Sequence, residues 1–346
     1  MLVAPLNWGL GHATRCIPII NALLKANYEP VLASDGDALL LLQKEFPLLK
    51  SVELPPYNIA YPKNGKNLTF KLLLQLPHII SVIKKERKTV SQLIDKENIA
   101  GIISDNRFGV YSKKVPSVYM THQLNVLSGK TTFITSKIHK QFIKKFDECW
   151  MPDFKENPNF SGAIGHLKNH RFNLKYLGIL SRFQPKQREI KYDLLLLLSG
   201  PEPQRTLLEI KLLKELKHFK GEILMVRGVL NNTSEIKVPS NFNILNYLLA
   251  NELEDAINQS NVVIARSGYS TIMDLAALGK KAFFIPTPGQ FEQEYLAKGL
   301  QENSVAPYAK QDEFTAAKLP DLTNFSGFSK VVSTVDLELF KLFEGK

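Results

Sequence analysis

The stretch VVIARSGYSTIMDLAALGKKAFFIP, residues 262–286, contains the pattern that decides the fold. A β-branched apolar run (262–265) leads into a turn of glycine and hydroxyl side chains, followed by a helix-like segment (272–278) and a second apolar run (282–286). A strand, a helix and a strand in this order form the crossover unit that parallel sheets require. The stretch therefore predicts an α/β fold.

The same alternation of apolar runs and helix-like segments continues along the 346 residues. We predict strands at residues 2–5, 30–34, 51–54, 101–104, 117–120, 148–151, 175–177, 192–198, 222–227, 242–246, 262–265, 282–286 and 304–308. A chain of this length is too long for one ordinary core. We therefore predict two Rossmann-like, doubly wound parallel-sheet domains that face a cleft, which is the usual place for a ligand.

A polar segment separates the two series of strands. Residues 181–191 contain Pro185 and five charged side chains, and they are the predicted linker between domains at 1–180 and 192–327. The last stretch, 328–346, has the apolar spacing of a helix. We expect this C-terminal helix to pack back on the N-terminal domain.

The composition is that of a globular protein, with 44% hydrophobic and 22% charged residues. No apolar run approaches the roughly 20 residues that span a bilayer. The first residues lack the pattern of a signal peptide, and the two cysteines have no metal-like spacing. These features predict a cytoplasmic protein, and they exclude a disulfide scaffold.

The net charge of +11 lies entirely in the first half of the chain. Residues 1–180 carry 24 Lys and Arg against 13 Asp and Glu, whereas residues 181–346 carry 20 of each. Between Lys63 and Lys88, seven basic residues accompany one acid, Glu86, and many apolar side chains. This segment fits peripheral contact with an anionic membrane, or a core helix with a solvated end. Nucleic acid is not an expected partner, because no zinc-finger spacing or RNA-binding motif accompanies the charge.

A glycine-rich turn follows the first predicted strand. Gly9 and Gly11 allow the backbone to approach a ligand, and the helix that follows offers free N–H groups to anionic oxygens. The turn is not the dinucleotide fingerprint, because Thr14 stands where the third glycine belongs. His12 has a reference pKa suited to taking a proton from a hydroxyl, although a histidine here can also serve the helix start alone.

Two further residues with proton-transfer chemistry follow strands of the first half. Asp105 comes at the end of one predicted strand, where it can orient His12, orient an acceptor or cap a helix. His122 follows the next strand and is a second candidate for the acceptor side.

Comparable turns occur in the second half. Ser199 and Gly200 follow the strand at 192–198, and Arg266, Ser267 and Gly268 follow the strand at 262–265. Hydroxyls, glycine and bare amides at the carboxyl ends of parallel strands suit a diphosphate, although a capped helix start has the same composition.

Polar residues that suit a sugar lie close by. Asp274, one helical turn further on, can accept hydrogen bonds from two ribose hydroxyls, and Gln293 and Glu294 follow a Pro-Gly turn.

The Gly9–Arg15 motif GLGHATR, the stretch at 266–286 and the segment GQFEQE at 289–294 together resemble glycosyltransferase family 28. The resemblance implies the GT-B architecture, in which the first domain binds the acceptor and the second binds a nucleotide-sugar. It also implies an inverting enzyme that needs neither a metal nor a cofactor, with a UDP-sugar as donor substrate. His12 would be the base or a residue of the loop on the acceptor side.

The resemblance also assigns roles at the donor. Arg266 would stabilise the leaving diphosphate, Asp274 would hold the ribose, and Leu248 would lie in the segment that meets the uracil through backbone groups. Ser267 and Gly268, together with Ser199 and Gly200, would hold the diphosphate. Gly9 and Gly11, which are also predicted to bind the donor, belong to the motif that is similar to the family's N-terminal glycine-rich loop. Gln293 and Glu294 would contact the sugar; the family has two glutamines there, so this departure leaves the sugar open.

The expected function is transfer of a hexose or N-acetylhexosamine from a UDP-sugar to a hydroxyl acceptor, lipid-linked or in a cell-envelope glycan. The expected location is the cytoplasm, at the inner face of the plasma membrane. Two alternatives stay open: a nucleotide-sugar epimerase or hydrolase of the same architecture, and a non-catalytic subunit that docks on a membrane.

Overall fold

The computed structural model describes residues 1–58, 75–229, 238 and 240–344. These residues form two compact units. The first unit contains the described residues before Phe183 and again those from Ser333 onward, and the second unit is Phe183–Val332. The second unit is therefore an insertion in the chain of the first, and the boundary between them lies inside the segment predicted as a linker.

The first unit is built on a parallel sheet. Its strands are β1 (Leu2–Pro5), β2 (Val31–Ser34), β3 (Ser51–Glu53), β4 (Ile102–Asp105), β5 (Ser117–Met120), β6 (Glu148–Met151) and β7 (Leu174–Tyr176). Their order across the sheet is β3-β2-β1-β4-β5-β6-β7. The direction of strand addition reverses between β1 and β4, and in such sheets the crevice for ligands opens beyond the carboxyl ends of the strands at this point.

The second unit repeats this plan with a smaller parallel sheet. Its strands are β8 (Tyr192–Leu197), β9 (Ile223–Val226), β10 (Phe242–Leu245), β11 (Ser260–Ala265) and β12 (Lys281–Phe284). Their order is β10-β9-β8-β11-β12, so the reversal lies between β8 and β11.

Helices connect the strands in both units. In the first unit they are α1 (Gly11–Lys25), α2 (Gly36–Glu45), α3 (Leu76–Glu97) and α4 (Thr132–Ile143). In the second unit they are α5 (Gln204–Glu215), α6 (Ala250–Asn258), α7 (Tyr269–Leu278) and α8 (Phe291–Glu302). The predicted α/β class with two parallel sheets is confirmed.

The strands are apolar because both of their faces are covered. All residues of β1 and β9 are buried, and alternate residues of β8 pack into a core cluster with Leu208 and Leu212 of α5. Strands buried on both faces are typical of parallel sheets.

Two predicted elements have a different structure. Residues 304–308 form only a single parallel bridge, between Phe284 and Tyr308, because Pro307 has no N–H group with which to continue a ladder. The C-terminal stretch has no regular secondary structure from Phe328 to Asp336 and ends in a short 3₁₀ helix, Leu337–Phe343. The N–H of Val331 is bonded to the carbonyl of Ala276 instead of to an earlier residue of its own stretch, which prevents a helix there.

The end of the chain returns to the first unit. The Ser333 hydroxyl donates to the carbonyls of Ile179 (3.0 Å) and Ser181 (3.2 Å). Phe340 is 1% exposed and lies against the rings of Tyr28 and Trp150, with centroid distances of 5.9 and 6.3 Å.

Candidate active site

The turn between β1 and α1 brings a histidine to the carboxyl end of the first sheet. Gly9 has a φ of +75°, which favours glycine, and a Cβ there would meet nothing within 4 Å. The backbone conformation, not crowding, therefore explains this glycine. Gly11 begins α1, and His12 follows it in the first turn of the helix.

His12 and Asp105, 93 positions apart in the chain, are in contact. Pro5 of β1 is paired with Asp105 of β4, so the turn after β1 lies beside the end of β4. Nδ1 of His12 is 3.0 Å from Oδ1 of Asp105. The Asp105 side chain is completely buried, whereas that of His12 is 12% exposed. The structure thus brings together the two residues predicted as catalytic.

Arg15 completes this cluster, although no role was predicted for it from the sequence. Its Nε lies 2.5 Å from Oδ2 of Asp105, its Nη2 contacts Oδ1, and its Nη1 lies 2.6 Å from Nδ1 of His122. The spacing in the sequence does indicate that Arg15 lies near His12, because residues three positions apart on a helix share a face. What the sequence could not show is that β4 and β5 bring Asp105 and His122 to that face.

The charges in this cluster keep Asp105 ionised. Burial alone would raise the pKa of Asp105, but the Arg15 guanidinium and then His12 outweigh burial and hold this pKa well below its usual range. Burial lowers the pKa of His12, and Arg15 lowers it further against the opposing effect of Asp105. His12 is therefore neutral at pH 7, as a group that accepts a proton must be.

In the second unit, the predicted donor residues surround the reversal point of the sheet. Ser199 and Gly200 follow β8, and Gly200 has a φ of +102°. Gly268 is the N-cap residue of α7, and a Cβ there would meet only Thr271 Oγ1, at 3.9 Å. Asp274 lies on α7 and is half-buried.

Leu248 and Glu294 have groups available for a ligand. Leu248 precedes α6, and neither its N–H nor its C=O is hydrogen-bonded to any residue that the structure describes. The Glu294 side chain is half-buried on α8, and its carboxylate likewise has no hydrogen-bond partner in the described chain.

Ser267 and Gln293 have structural contacts instead. The Ser267 hydroxyl is buried and donates to the carbonyl of Gln293 at 2.8 Å. Oε1 of Gln293 in turn accepts from the N–H of Thr287 at 2.8 Å. These two side chains join the loop after β11 to the loop after β12. Their roles at a diphosphate and a sugar stay predictions.

The Arg266 side chain also contacts other parts of the second unit, and its role in stabilising a leaving diphosphate stays a prediction. Arg266 is 1% exposed, and its terminal nitrogens donate to the carbonyls of Ile285 (3.0 Å), Pro286 (3.0 Å) and Gln204 (2.8 Å) and to Oε1 of Gln311 (2.6 Å). A guanidinium whose terminal N–H groups are all used in this way holds backbone in place. Burial lowers its pKa to about 9, so Arg266 remains charged at pH 7.

A second ionic cluster, not identified from the sequence, orders the segment before Leu248. Arg227, directly after β9, donates to Glu209 at 2.9 Å and to Oδ1 of Asn246 at 2.9 Å. Glu209 also accepts from Arg205 at 2.7 Å.

The described residues contain neither a cluster of metal ligands nor a helix that could span a membrane. No group of three or more His, Cys, Asp or Glu side chains among them could hold a metal ion. Of the helices that the structure describes, none combines the length and the apolar character needed to cross a bilayer. Residues 63–74 of the predicted membrane segment lie outside the described residues, and the remainder belongs to α3.

Comparisons with known proteins agree with the resemblance. Residues 204–324 match the model of the glycosyltransferase family 28 C-terminal domain. The UDP-N-acetylglucosamine--N-acetylmuramyl-(pentapeptide) pyrophosphoryl-undecaprenol N-acetylglucosamine transferase of Haemophilus ducreyi is 23% identical over 257 residues, which cover 72% of this chain and 67% of that protein.

Solved structures share the fold. The spinosyn rhamnosyltransferase SpnG matches with a TM-score of 0.66 at 13% identity, over 99% of both chains. MurG of Acinetobacter baumannii matches with a TM-score of 0.55 at 14% identity, over 94% of this chain and 92% of that one. The predicted GT-B fold and the resemblance to family 28 are both confirmed.

Proposed function

We propose that this chain, a glycosyltransferase whose second unit matches the family 28 C-terminal domain, moves a hexose or N-acetylhexosamine from a UDP-sugar to an acceptor hydroxyl. The observation that carries the proposal is the His12–Asp105 hydrogen bond of 3.0 Å. A hydroxyl must lose its proton when it attacks a sugar. A neutral histidine held by an ionised carboxylate can accept that proton.

In this reaction the acceptor oxygen forms a bond to the anomeric carbon while the bond from that carbon to the diphosphate oxygen breaks. Attack from the side opposite the leaving group inverts the configuration, through a transition state with oxocarbenium character. The electron pair leaves with UDP, and the acceptor proton moves to Nε2 of His12. Nε2 has no hydrogen-bond partner among the described residues, and Asp105 stabilises the imidazolium that forms.

Donor binding is proposed at the reversal point of the second sheet. The first N–H groups of α7, beyond Gly268, would meet the diphosphate oxygens, because a helix N-terminus favours an anion. Asp274 would accept from the ribose hydroxyls, and the backbone of Leu248 would pair with the edge of the base. Glu294 would contact the sugar. This proposed binding mode includes no metal.

The proposed acceptor is lipid-linked, as the name of the Haemophilus ducreyi relative states for that protein. The first unit supports contact with an anionic membrane, because α3 exposes Leu76 and Ile80 at its start, followed by exposed Lys84 and Lys88 on the same face. Helix α4 adds a second exposed apolar surface. Its exposed side chains are Phe133 (79%), Ile134 (60%) and Ile138 (50%).

A thermal-shift panel of nucleoside diphosphates and nucleotide-sugars, with and without EDTA, tests the donor site. A ligand at about 100 times its dissociation constant adds roughly 2.7 kcal/mol to the free energy of unfolding. We expect selective stabilisation by UDP and one UDP-sugar, unchanged by EDTA. The absence of a shift with every nucleotide would contradict the proposal and favour the non-catalytic subunit.

Substitutions of Asp274 test whether its carboxylate binds the ribose of UDP. Asp274→Ala should weaken UDP binding because it removes both acceptor oxygens, whereas Asp274→Asn keeps one acceptor and should lose less. Titration of each variant with UDP and with uracil provides the readout, since free uracil has no ribose. Equal loss for UDP and uracil would show that the substitution damages the fold instead.

Product analysis separates transfer from the alternative reactions. With the UDP-sugar identified by the panel, a transferase releases UDP in proportion to glycosylated acceptor. An epimerase changes the sugar without any acceptor, and a hydrolase releases free sugar at the same rate whether or not an acceptor is present.

A further inference from the structure

The segment proposed to meet the base, residues 246–249, is bonded to a charged side chain at each end. At its first residue, Oδ1 of Asn246 accepts from Nη1 of Arg227 at 2.9 Å. At its last residue, the N–H of Leu249 donates to Oε2 of Glu252 at 2.9 Å. The segment is therefore anchored on both sides of the residue between them whose backbone is proposed to read the base.

The Arg227 side chain is itself held by a buried carboxylate. Its Nε and Nη2 donate to Glu209 at 3.1 and 2.9 Å, and Glu209 also accepts from Arg205 at 2.7 Å. Each of these three residues is at most 7% exposed. Because a guanidinium presents its N–H groups in a rigid plane, the contacts with Glu209 determine where Nη1 lies. Asn246 therefore accepts from a fixed donor.

The loop that carries Arg227 is packed against the end of β8. Gly228 has a φ of +68°, and a Cβ there would lie 2.5 Å from the carbonyl oxygen of Leu198. The next residue, Val229, donates its N–H to the carbonyl of Asn246 at 2.9 Å. A side-chain contact and a backbone contact thus join Asn246 to a loop that is itself fixed on β8.

Between the two anchors, the backbone of Leu248 offers one donor and one acceptor. Neither its N–H nor its C=O is hydrogen-bonded to a residue that the structure describes. Uracil presents the acceptor O4 beside the donor N3–H, and one C=O with one N–H is complementary to this pair. Cytosine presents an amino donor beside the acceptor N3, so at the same two positions donor would face donor and acceptor would face acceptor. A fixed backbone pair therefore distinguishes the two bases, whereas a mobile pair can shift to fit either.

We propose that Arg227 and Glu252 are positioning residues that fix residues 246–249 at both ends, and that the fixed segment selects uracil over cytosine. The anchoring stands on the contacts alone, whereas the selection rests on the proposed function, in which the backbone of Leu248 meets the base. A donor or acceptor left unpaired typically weakens binding by about tenfold. In the parent chain we therefore expect the Kd of CDP to exceed that of UDP by at least this factor.

A matched pair of substitutions at Asn246 tests the anchor at Arg227. Asn246→Asp keeps the Oδ1 that accepts from Arg227, whereas Asn246→Leu has a similar size and no acceptor. We expect the ratio of the Kd of CDP to that of UDP to stay near the parent value in Asn246→Asp and to fall several-fold in Asn246→Leu. Calorimetric titration measures both constants. A role confined to folding would weaken both nucleotides by the same factor, and an unchanged ratio in Asn246→Leu would overturn the proposal.

Glu252 allows the same test at the other end of the segment, at an exposed position. Glu252→Gln keeps an oxygen that accepts from the N–H of Leu249, whereas Glu252→Ala removes it. We expect the ratio of the two Kd values to fall in Glu252→Ala and to stay near the parent value in Glu252→Gln. Thermal melts of all four variants are the control for folding. Equal ratios in the two Glu252 variants would overturn the role of this anchor.

Hydrogen exchange without nucleotide measures the anchoring directly, because amides in segments that open locally exchange faster. The N–H groups of Val229 and Leu253 donate to the backbone carbonyls of Asn246 and Leu249, at 2.9 Å each, and the substitutions leave these groups in place. The Val229 amide should exchange faster in Asn246→Leu than in Asn246→Asp, and the Leu253 amide faster in Glu252→Ala than in Glu252→Gln. Equal exchange within both pairs would overturn the proposal. A chain with the expected exchange that binds no nucleotide would contradict the proposed function instead.

Discussion

Asp105 is a buried carboxylate that three side chains and their charges keep ionised. Removing a carboxylate from water is costly unless hydrogen bonds and opposite charges compensate. Arg15 supplies the charge, with hydrogen bonds to both carboxylate oxygens, and His12 and Cys16 supply further donors. A single substitution in this cluster is therefore expected to affect the remaining members.

Substitution of His12 should separate catalysis from donor binding. His12→Ala removes the proposed base, so we expect kcat to fall by about 10²–10⁴-fold. The residues proposed to bind UDP belong to the second unit, so the dissociation constant of UDP should change little. Initial rates and UDP titration on the same preparation give both quantities. A similar loss in rate and in UDP affinity would contradict this division of roles.

The buried histidines predict how stability depends on pH. Burial is the main cause that lowers the pKa of His139 to about 4, and it also lowers that of His12, whereas both groups titrate near 6.5 in the unfolded chain. Between these values the unfolded chain binds more protons, so the free energy of unfolding should decrease as the pH falls from 7 to 5. Denaturant titrations at the two pH values measure this decrease.

A His139 variant supplies the control. His139 packs against the rings of Phe108 and Tyr119, and its Nε2 has no hydrogen-bond partner among the described residues. His139→Phe keeps an aromatic ring there and removes the titrating group, so its stability should depend less on pH. A variant with the same pH dependence as the parent would show that His139 does not contribute.

Gly101 lies where the C-terminal 3₁₀ helix packs against the first sheet. A Cβ on Gly101, just before β4, would lie 2.3 Å from the ring of Phe343 and 2.9 Å from Cε of Met1. No side chain except hydrogen fits there unless Phe343 moves. The close approach of these two elements therefore depends on one glycine.

The substitution Gly101→Ala should displace Phe343 and lower the Tm. Gly299→Ala is the matched control, because a Cβ on Gly299 of α8 would meet nothing within 4 Å, and alanine in a helix is favoured over glycine by roughly 0.5–1 kcal/mol. Thermal melts of the two variants should therefore shift in opposite directions. An increase in Tm for both variants would contradict the close packing of Phe343 against Gly101.

Local pattern was sufficient to predict strands but not contacts between elements. The apolar runs at β1, β4 and β11 were predicted because each is continuous in sequence and bounded by turn residues. The extended form of residues 328–336 was not predicted, because their N–H groups find partners in other segments, such as the carbonyl of Ala276. Arg266 carries the motif of a phosphate-binding turn, and only the carbonyls of Ile285 and Pro286 show that its guanidinium lies in the interior.

For the whole molecule, the charge distribution predicts salt-dependent binding to anionic vesicles. The excess of positive charge lies in residues 1–180, which also expose the apolar side chains of α4. Attraction between exposed charges is screened within about 10 Å at 0.1 M salt and about 3 Å at 1 M. We therefore expect sedimentation with phosphatidylglycerol vesicles at low salt that decreases as salt is added. Absence of binding at every salt concentration would contradict membrane contact.

Substitution of two isoleucines with nearly equal exposure can show which surface of the protein binds the vesicles. Ile134 in the first unit is 60% exposed and Ile210 in the second is 59% exposed. Ile134→Ser should weaken vesicle binding and Ile210→Ser should not. Equal effects would show that the contact is not confined to α4 and its neighbours.

Residues from Ser333 onward belong to the first unit, so part of the first unit is synthesised after the second unit. The residues that cover Trp150 are synthesised after the whole of Phe183–Val332. Domains tend to fold as units during translation, from the N-terminus onward. Here the unit that holds His12 and Asp105 stays incomplete until the unit with the donor residues has been translated. A growing chain therefore completes its first unit only after its second unit has been synthesised.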